Sequence, residues 1–306
     1  MKKLNFIIKY GLALLLLSFY SCESWLNVTP SDRLSEEMLF NDREGFVKAL
    51  NGVYIELNTN ELYGRNLTAG ALDVMGQYYS VASSSHAFYN YGGLVYTGND
   101  EKALFDNMWQ KCYAVIACCN TIIEKCDENK AGLSPVWRGS IKGEALALRA
   151  MLHFDMLRLF GPLTSELDKE SIPYQTNSDQ TVTPLLSGSE VIGLILDDLK
   201  NAVGLLKDTD PYFVEEEFSD TDLNYRRFRM NYFAAKGLMA RVQLWGGDKE
   251  KAAITAKEVI AEGQAEGAEF FPFVTNSEAT SSNPDRVFYS EVLFGTYHSS
   301  REKLHE

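Results

Sequence analysis

The chain has none of the short signatures that carry catalysis. HExxH, GxSxG and GxxxxGK[ST] are all absent, so no zincin, nucleophile elbow or P-loop is encoded, and no cofactor is expected. Histidine is scarce: His86, His153, His298 and His305 are the four, scattered along the chain. His153 stands one helical turn from Arg149, the place of a packed histidine rather than a base. Positive charge is short as well. With 29 Lys and Arg against 42 Asp and Glu, the net charge is −13, which argues against nucleic acid as a partner. Zinc-type cysteine spacing is missing: Cys112, Cys119 and Cys126 fall seven apart beside Cys118, where CxxC pairs would be needed. Residues seven apart on one helix are about 10.5 Å apart along its axis, too far for a disulfide. They read as small buried residues on a core stripe.

No apolar run is long enough to span a bilayer. The N-terminal one, Gly11 to Leu17, follows a basic segment of Lys2, Lys3 and Lys9 and leads at once into Ser21-Cys22, the layout of an export signal. A cysteine directly after the apolar core is the acceptor pattern of a bacterial lipoprotein, which makes residues 1–21 a signal peptide, Cys22 the lipid attachment site and 22–41 a tether. Phe19 and Tyr20 stand where a tight lipobox carries Leu and a small residue. The competing reading is ordinary cleavage with Cys22 unmodified. Two or more acyl chains would anchor the protein stably to a membrane.

The remainder is globular: 45% hydrophobic and 12% aromatic residues supply a substantial core. Apolar periodicity predicts helices at 42–57, 101–127, 135–160, 188–206, 230–245 and 248–264. Irregular stretches lie between them at 62–100, 164–188 and 208–222, long enough to suggest function or extra structure. The most telling segment is Ile141 to Pro162, IKGEALALRAMLHFDMLRLFGP. Ile141, Ala145, Leu148, Leu152, Met156 and Leu159 form one apolar stripe; Leu146, Ala150, Leu157 and Phe160 form a second. Glu144, Asp155 and Arg158 share a narrow polar sector, and Gly161-Pro162 ends the helix as a C′ glycine and its following proline. A helix apolar on two faces sits between neighbours. Arg149 falls on the apolar side, so its partner must come from another helix. Farther on, the alanine-rich stretch 234–245, the turn Gly246-Gly247-Asp248 and Ala252, Ala256, Val259 and Ile260 have the small-and-large rhythm of a tetratricopeptide (TPR) hairpin. Together these predict a mainly α fold, a TPR-like helical-hairpin scaffold with long irregular loops.

Gly143-Glu144-Ala145, Leu148-Arg149-Ala150, Phe154 and Arg158-Leu159-Phe160-Gly161-Pro162 resemble the signature helix of the SusD/RagB family, surface lipoproteins of Bacteroidetes that capture nutrients for outer-membrane import. Four further places agree in order. Phe46–Leu57 is similar to the family's first helix, and Trp109–Glu124 to its W-x3-Y-x2-I-x3-N helix. Asn231–Ile260 is similar to a later hairpin, and Glu291–Phe294 (EVLF) to a short strand. The match runs from Cys22 to about Phe294. The resemblance implies a SusD-like domain over 42–306 without the family's C-terminal half, since members are usually much longer. The family positions Trp109, Tyr113, Asn120, Glu144, Arg149 and Gly161 are read as architecture.

The candidate ligand site is the aromatic segment. Tyr78, Tyr79, Tyr89, Tyr91 and Tyr96, with Phe88, crowd a polar stretch that includes Ser83 to Ser85. Tyrosine offers an apolar face and a polar tip, which suits stacking on a sugar ring. The competing reading packs part of this set onto the helices. Glu216/Glu217 belong to a run of acids, which reads as a solvated loop rather than glycosidase carboxylates. Asp208, Asp210, Asp220 and Asp222 lack the EF-hand spacing and glycine, so no metal is assigned.

The resemblance implies a non-catalytic surface lipoprotein of the outer membrane. It would bind a nutrient glycan and deliver it to a TonB-dependent, SusC-like β-barrel transporter. Two alternatives stay open: a peptide-binding lid of the same transporter type, and a TPR adaptor that assembles proteins. An enzyme has least support, for want of a catalytic set.

Overall fold

Five of the six long helices start where a side chain can satisfy their first amides. In the computed structural model, which describes residues 36–298 apart from 180, 266 and 267, Asp42 caps α1 (Arg43–Leu57) by accepting from the Gly45 amide at 2.8 Å. Ser134, with Pro135 behind it, caps α3 (Pro135–Phe160). Ser187 and Glu190 form a reciprocal capping box on α4 (Gly188–Thr209). Asn231 caps α5 (Tyr232–Trp245) and Asp248 caps α6 (Lys249–Gly263). α2 (Asn99–Glu128) starts after Gly98 without a side-chain cap; Asn129, in the left-handed conformation, ends it. Such caps contribute about 1 kcal/mol each.

These six helices coincide with the six periodic segments to within a few residues, and the fold is mainly helical as predicted. The signal segment 1–21 and Cys22 lie outside the described residues. Of the tether, only 36–41 is described. Two compact units are distinguished, residues 1–39 and 40–306. The first is described only as the one-turn helix Glu36–Leu39.

Within the second unit, α3 is the central element. It runs antiparallel to α2: Phe105 meets Phe160, the Cys112 thiol faces the Leu152 carbonyl, Asn120 meets Arg149, and Asp127 pairs with Lys142. It also runs antiparallel to α4, where Arg149 meets Asp198. Glycine brings those two axes close. A β-carbon on Gly139 would lie 2.6 Å from Thr209 Cγ2, and one on Gly143 2.7 Å from Leu206 Cγ. α5 packs on α4, α6 on α5, and α1 on α2 and α3. The stripes of α3 are accordingly buried: Ile141, Ala145, Leu148, Leu152 and Met156 on one side, Leu146, Ala150 and Leu157 on the other. Complete burial of a leucine-sized side chain stabilises by about 1.5–3 kcal/mol.

Two of the three residues in the polar sector of the same helix do not face solvent, while Arg158 is exposed. Glu144 and Asp155 are as buried as the apolar residues around them. Gly161 also departs from expectation. Its φ of −86° and ψ of 178° are extended, not left-handed, because Pro162 disfavours the helical region for the residue before it. Glycine is needed there for room: a β-carbon would stand 2.8 Å from Leu157 Cδ1 and 2.9 Å from Ser171 Oγ.

The stretch from α3 to α4 carries a small antiparallel ladder, β1 (Glu170–Pro173) with β2 (Leu185–Ser187). A second ladder, β3 (Gln264–Ala265) with β4 (Ala268–Glu269), follows α6. EVLF is no strand. Tyr289–Glu291 is a 3-10 turn, and the chain beyond it is extended without a ladder partner among the described residues.

Candidate functional site

Three polar networks radiate from α3 and tie the surrounding loops to it. In the first, Arg149 donates to both carboxylate oxygens of Asp198 at 2.7 Å, and to Asn120 Oδ1 at 2.8 Å. Asn120 donates in turn to the carbonyls of Gln175 and Asn177, and the Tyr174 hydroxyl donates to Asp198 at 2.5 Å. The His153 ring stacks on Tyr174 with centroids 4.0 Å apart, and its Nε2 accepts from the Gln175 amide. Burial pushes His153 down to about 3. The α3–α4 crossover is thereby fixed by α2, α3 and α4 at once. Tyr113 adds a hydrogen bond to the Pro173 carbonyl and packs on the half-buried Trp109, whose ring meets Phe160 edge-on at 5.1 Å.

The second network centres on Glu144. Its carboxylate accepts from Arg226, from Arg229 Nε at 3.1 Å and from the Tyr54 hydroxyl at 2.7 Å. Arg226 also holds Asp210 in a bidentate pair. Burial raises the cost of charge on Glu144, but the two guanidiniums outweigh it and hold the carboxyl below the usual range. Asp210, weighed as a calcium ligand, is therefore spent inside the protein, and Asp222 is spent capping Ser219. The cavity beside this network, about 190 Å³, is lined by the paired Glu144, Arg226 and Arg229 and by Trp137, whose buried indole N–H has no hydrogen-bond partner among the described residues. In the third network Asp155 accepts from Tyr63 at 2.5 Å and from Arg158. The polar sector of α3 thus ties down α1, the loop after it and the segment before α5.

The aromatic segment 78–96 divides in two. Tyr78, Tyr79 and Tyr89 are exposed, at 80, 55 and 42%. Tyr91 is 2% exposed and forms a small core with Ala71 and Val74, against which Phe88, Tyr96 and Phe105 pack. The expectation of a solvent-facing ring therefore fails for Tyr91, and Tyr96 is half-buried against Phe105 at 5.4 Å. The one-turn helices Ala71–Met75 and Tyr89–Gly92 turn those rings inward. Of the five tyrosines, Tyr79 lines a depression of about 520 Å³ with Ser80, Ser83, His86 and Phe88.

A second aromatic depression escaped the sequence reading. Phe228, Tyr289 and Tyr297, with Arg227, Asp285 and Thr296, line about 570 Å³. Tyr225, Tyr289 and Tyr297 are exposed, at 59, 41 and 65%. The available signal was aromatic density in 287–297 together with the ring of Phe228, residues some sixty positions apart. Phe288 takes a φ of 52° beside it, a conformation uncommon for a bulky residue. Among the described residues no cluster of three or more His, Cys, Asp or Glu is placed to hold a metal. Nor is any described helix long and apolar enough to cross a membrane.

Residues 24–244 match the family model SusD-like_3, described as starch-binding associating with outer membrane. SusD-like protein P2 of Formosa agariphila is 26% identical over 265 residues, covering 84% of this chain and 46% of the relative. SusD-like protein P38 of the same organism is 25% identical, covering 80% and 43%. The chain thus spans a little under half the length of these relatives. Among solved structures, a SusD-like carbohydrate binding protein from Bacteroides vulgatus superposes with a TM-score of 0.61 at 25% identity, covering 78% of this chain and 47% of that one. A laminarin-binding SusD-like protein shares the fold at a TM-score of 0.57 and 17% identity, covering 78% and 48%.

Proposed function

The chain belongs to the SusD-like family, and from that membership we propose that it is an outer-membrane lipoprotein, anchored through Cys22, that binds a nutrient glycan and delivers it to a TonB-dependent β-barrel transporter. The observation that carries the glycan part is the exposed Tyr79 ring at a depression whose other lining is apolar, from Ala69, Val74, Val81, Ala82 and Phe88, and polar at Ser80, Ser83 and His86. An aromatic face beside hydroxyl-bearing side chains suits a pyranose, whose C–H face stacks while its hydroxyls find polar partners. The three polar networks serve this role by holding the loops on a rigid helical frame, which lowers the ordering cost of binding. Trp109, Tyr113, Asn120, Glu144, Arg149 and Gly161 act in that frame and touch no ligand.

Two measurements test the reading. In native affinity electrophoresis, starch or laminarin in the gel should retard the protein, and Tyr79→Ala should relieve the retardation. A pull-down from detergent-solubilised outer membranes should recover a large β-barrel, and Cys22→Ala should release the protein from the membrane fraction. No retardation by any glycan, with peptide binding in its place, would move the protein to the peptide-lid reading. Absence of a barrel would remove the delivery step.

A further inference from the structure

Trp137 carries a polar atom that the fold does not use. Its indole Nε1 is buried and has no hydrogen-bond partner among the described residues, although a buried donor in a folded protein is nearly always paired. The ring stands on the first turn of α3. The Arg43 guanidinium lies over it, 4.8 Å from the centroid, and Phe218 packs against it with centroids 4.5 Å apart. With those two groups on its faces, the indole meets the cavity of about 190 Å³ by its edge, and the edge holds the N–H.

The rest of the wall says what could meet that donor. Val47 and Leu50 of α1, Ile141 of α3, Pro211 and Phe218 supply apolar lining. The charges cancel locally. Glu144 pairs with Arg226 and Arg229, and Asp210 pairs with Arg226, so two carboxylates answer two guanidiniums. Arg43 over the indole and Asp222 in the wall add one charge of each sign. A balanced site of this kind complements a neutral ligand rather than an ion. Size narrows the class further. An apolar cavity of about 150 Å³ accepts benzene, so this one admits a single six-membered ring with a small substituent.

We propose that this cavity binds a small neutral molecule made of an apolar ring and one acceptor oxygen, such as a cyclic ketone or lactam, held by a hydrogen bond from Trp137 Nε1. Water can accept the same hydrogen bond but leaves the apolar lining unpaired. A ring that displaces it keeps the bond and buries apolar surface as well. A sugar fits the site poorly, because hydroxyls around its whole edge would be buried against Val47, Leu50 and Ile141. The cavity has no lining residue in common with either aromatic depression, so the proposal does not depend on glycan binding there.

The probe is cyclohexanone. Methylenecyclohexane, of the same shape without the acceptor, and glucose are the controls. Binding is read by NMR from the indole N–H signals of the full chain in detergent, carrying isotope-labelled tryptophan; the signal absent from Trp137→Phe belongs to Trp137. That signal should shift saturably with cyclohexanone at concentrations on the order of millimolar, while the other indoles stay in place. Cyclohexanone should bind about tenfold tighter than methylenecyclohexane, the worth of one hydrogen bond to a buried donor. In Trp137→Phe, followed by saturation transfer to the probes, the two should bind alike. Thr221→Phe narrows the cavity from an exposed position in its wall; it leaves Trp137 intact and should weaken both probes. A Trp137 signal that cyclohexanone does not move means that water alone occupies the cavity, and the proposal falls. Equal affinity for the two probes in wild type removes Trp137 as the anchor. Glucose bound as tightly as cyclohexanone overturns the ligand class.

Discussion

Acidification should destabilise this protein well above the range where carboxylates titrate, and His153 is the reason. Its ring is fully buried, with Nδ1 2.9 Å from the Arg149 carbonyl and Nε2 accepting from the Gln175 amide at 3.0 Å. A nitrogen that accepts an amide hydrogen carries no proton of its own, so this is the neutral tautomer with its proton on Nδ1. A second proton would have to sit on Nε2, facing the Gln175 N–H, beside the Arg149 charge and away from water. The folded value of about 3 expresses that cost against an ordinary 6.5. Between those values the unfolded chain binds a proton that the folded chain refuses. Stability is therefore full above about pH 6.5 and is lost as pH falls, by about 1.4 kcal/mol per unit. From about pH 7.5 to about pH 5 the loss is about 2 kcal/mol, and it hardly depends on the folded value as long as that stays below about 4.

The assay is urea unfolding at a series of pH values, for wild type and for His153→Gln. Glutamine can donate to the Arg149 carbonyl and accept from the Gln175 amide, but it does not titrate. It gives up the stack on Tyr174, so the variant should be less stable at every pH, while its stability changes less between pH 7.5 and 5, by about 2 kcal/mol. The difference in slope between the two proteins is the readout, because the other histidines contribute to both. Equal slopes would refute the argument and place a proton on the buried ring.

Three further outcomes follow from the packing. Gly143→Ala should destabilise by about 1–3 kcal/mol in thermal or urea melts, through overpacking against Leu206. Gly193→Ala and Gly204→Ala on α4, where a β-carbon meets nothing within 4 Å, should stabilise by about 0.5–1 kcal/mol; equal effects at the three positions would deny the close α3–α4 approach. Asp198→Ala leaves Arg149 buried without its carboxylate and should cost about 3–5 kcal/mol in the same melts, and a loss under 1 kcal/mol would mean that Arg149 reaches water. In thiol labelling of the native protein, exposed Cys118 should react well ahead of buried Cys112, Cys119 and Cys126. Burial holds all three buried thiols up, Cys126 at about 12. Denaturant should release all three for labelling, and failure to do so would reveal a disulfide.

How far the sequence could be read depended on whether the deciding partner was near in the chain. The six helices were legible because period and caps are local: Ser134 with Pro135, and Asn231, each announce a helix within four residues. The isolation of Arg149 on an apolar face was legible too, since a buried guanidinium requires a carboxylate. Which carboxylate was not legible, because Asp198 is 49 positions away. The burial of Glu144 and Asp155 in the polar sector of α3 was not legible for the same reason. Glu144 is enclosed by Tyr54 from one side of the chain and Arg226 and Arg229 from the other, at separations of 82 to 90 residues.

The candidate ligand surface shows the same limit at the level of single rings. Tyr78, Tyr79, Tyr89, Tyr91 and Tyr96 share one composition, and composition alone could not separate a stacking face from a core face. Two one-turn helices make the separation. Tyr91 is buried with Ala71 and Val74, twenty and seventeen positions earlier in the chain. The second depression draws Phe228 from before α5 and Tyr289 and Tyr297 from after α6, and no window of sequence holds all three. The local alphabet therefore builds the frame, while the candidate binding surface arises where distant loops are drawn together on it. The networks of Glu144 and Asp155 tie down the residues next to those loops, Arg226 and Arg229 around Phe228 and Tyr63 ahead of the aromatic segment. Mutations there should act on ligand affinity only through the shape and stability of the frame, whereas mutations of exposed rings should act on affinity alone.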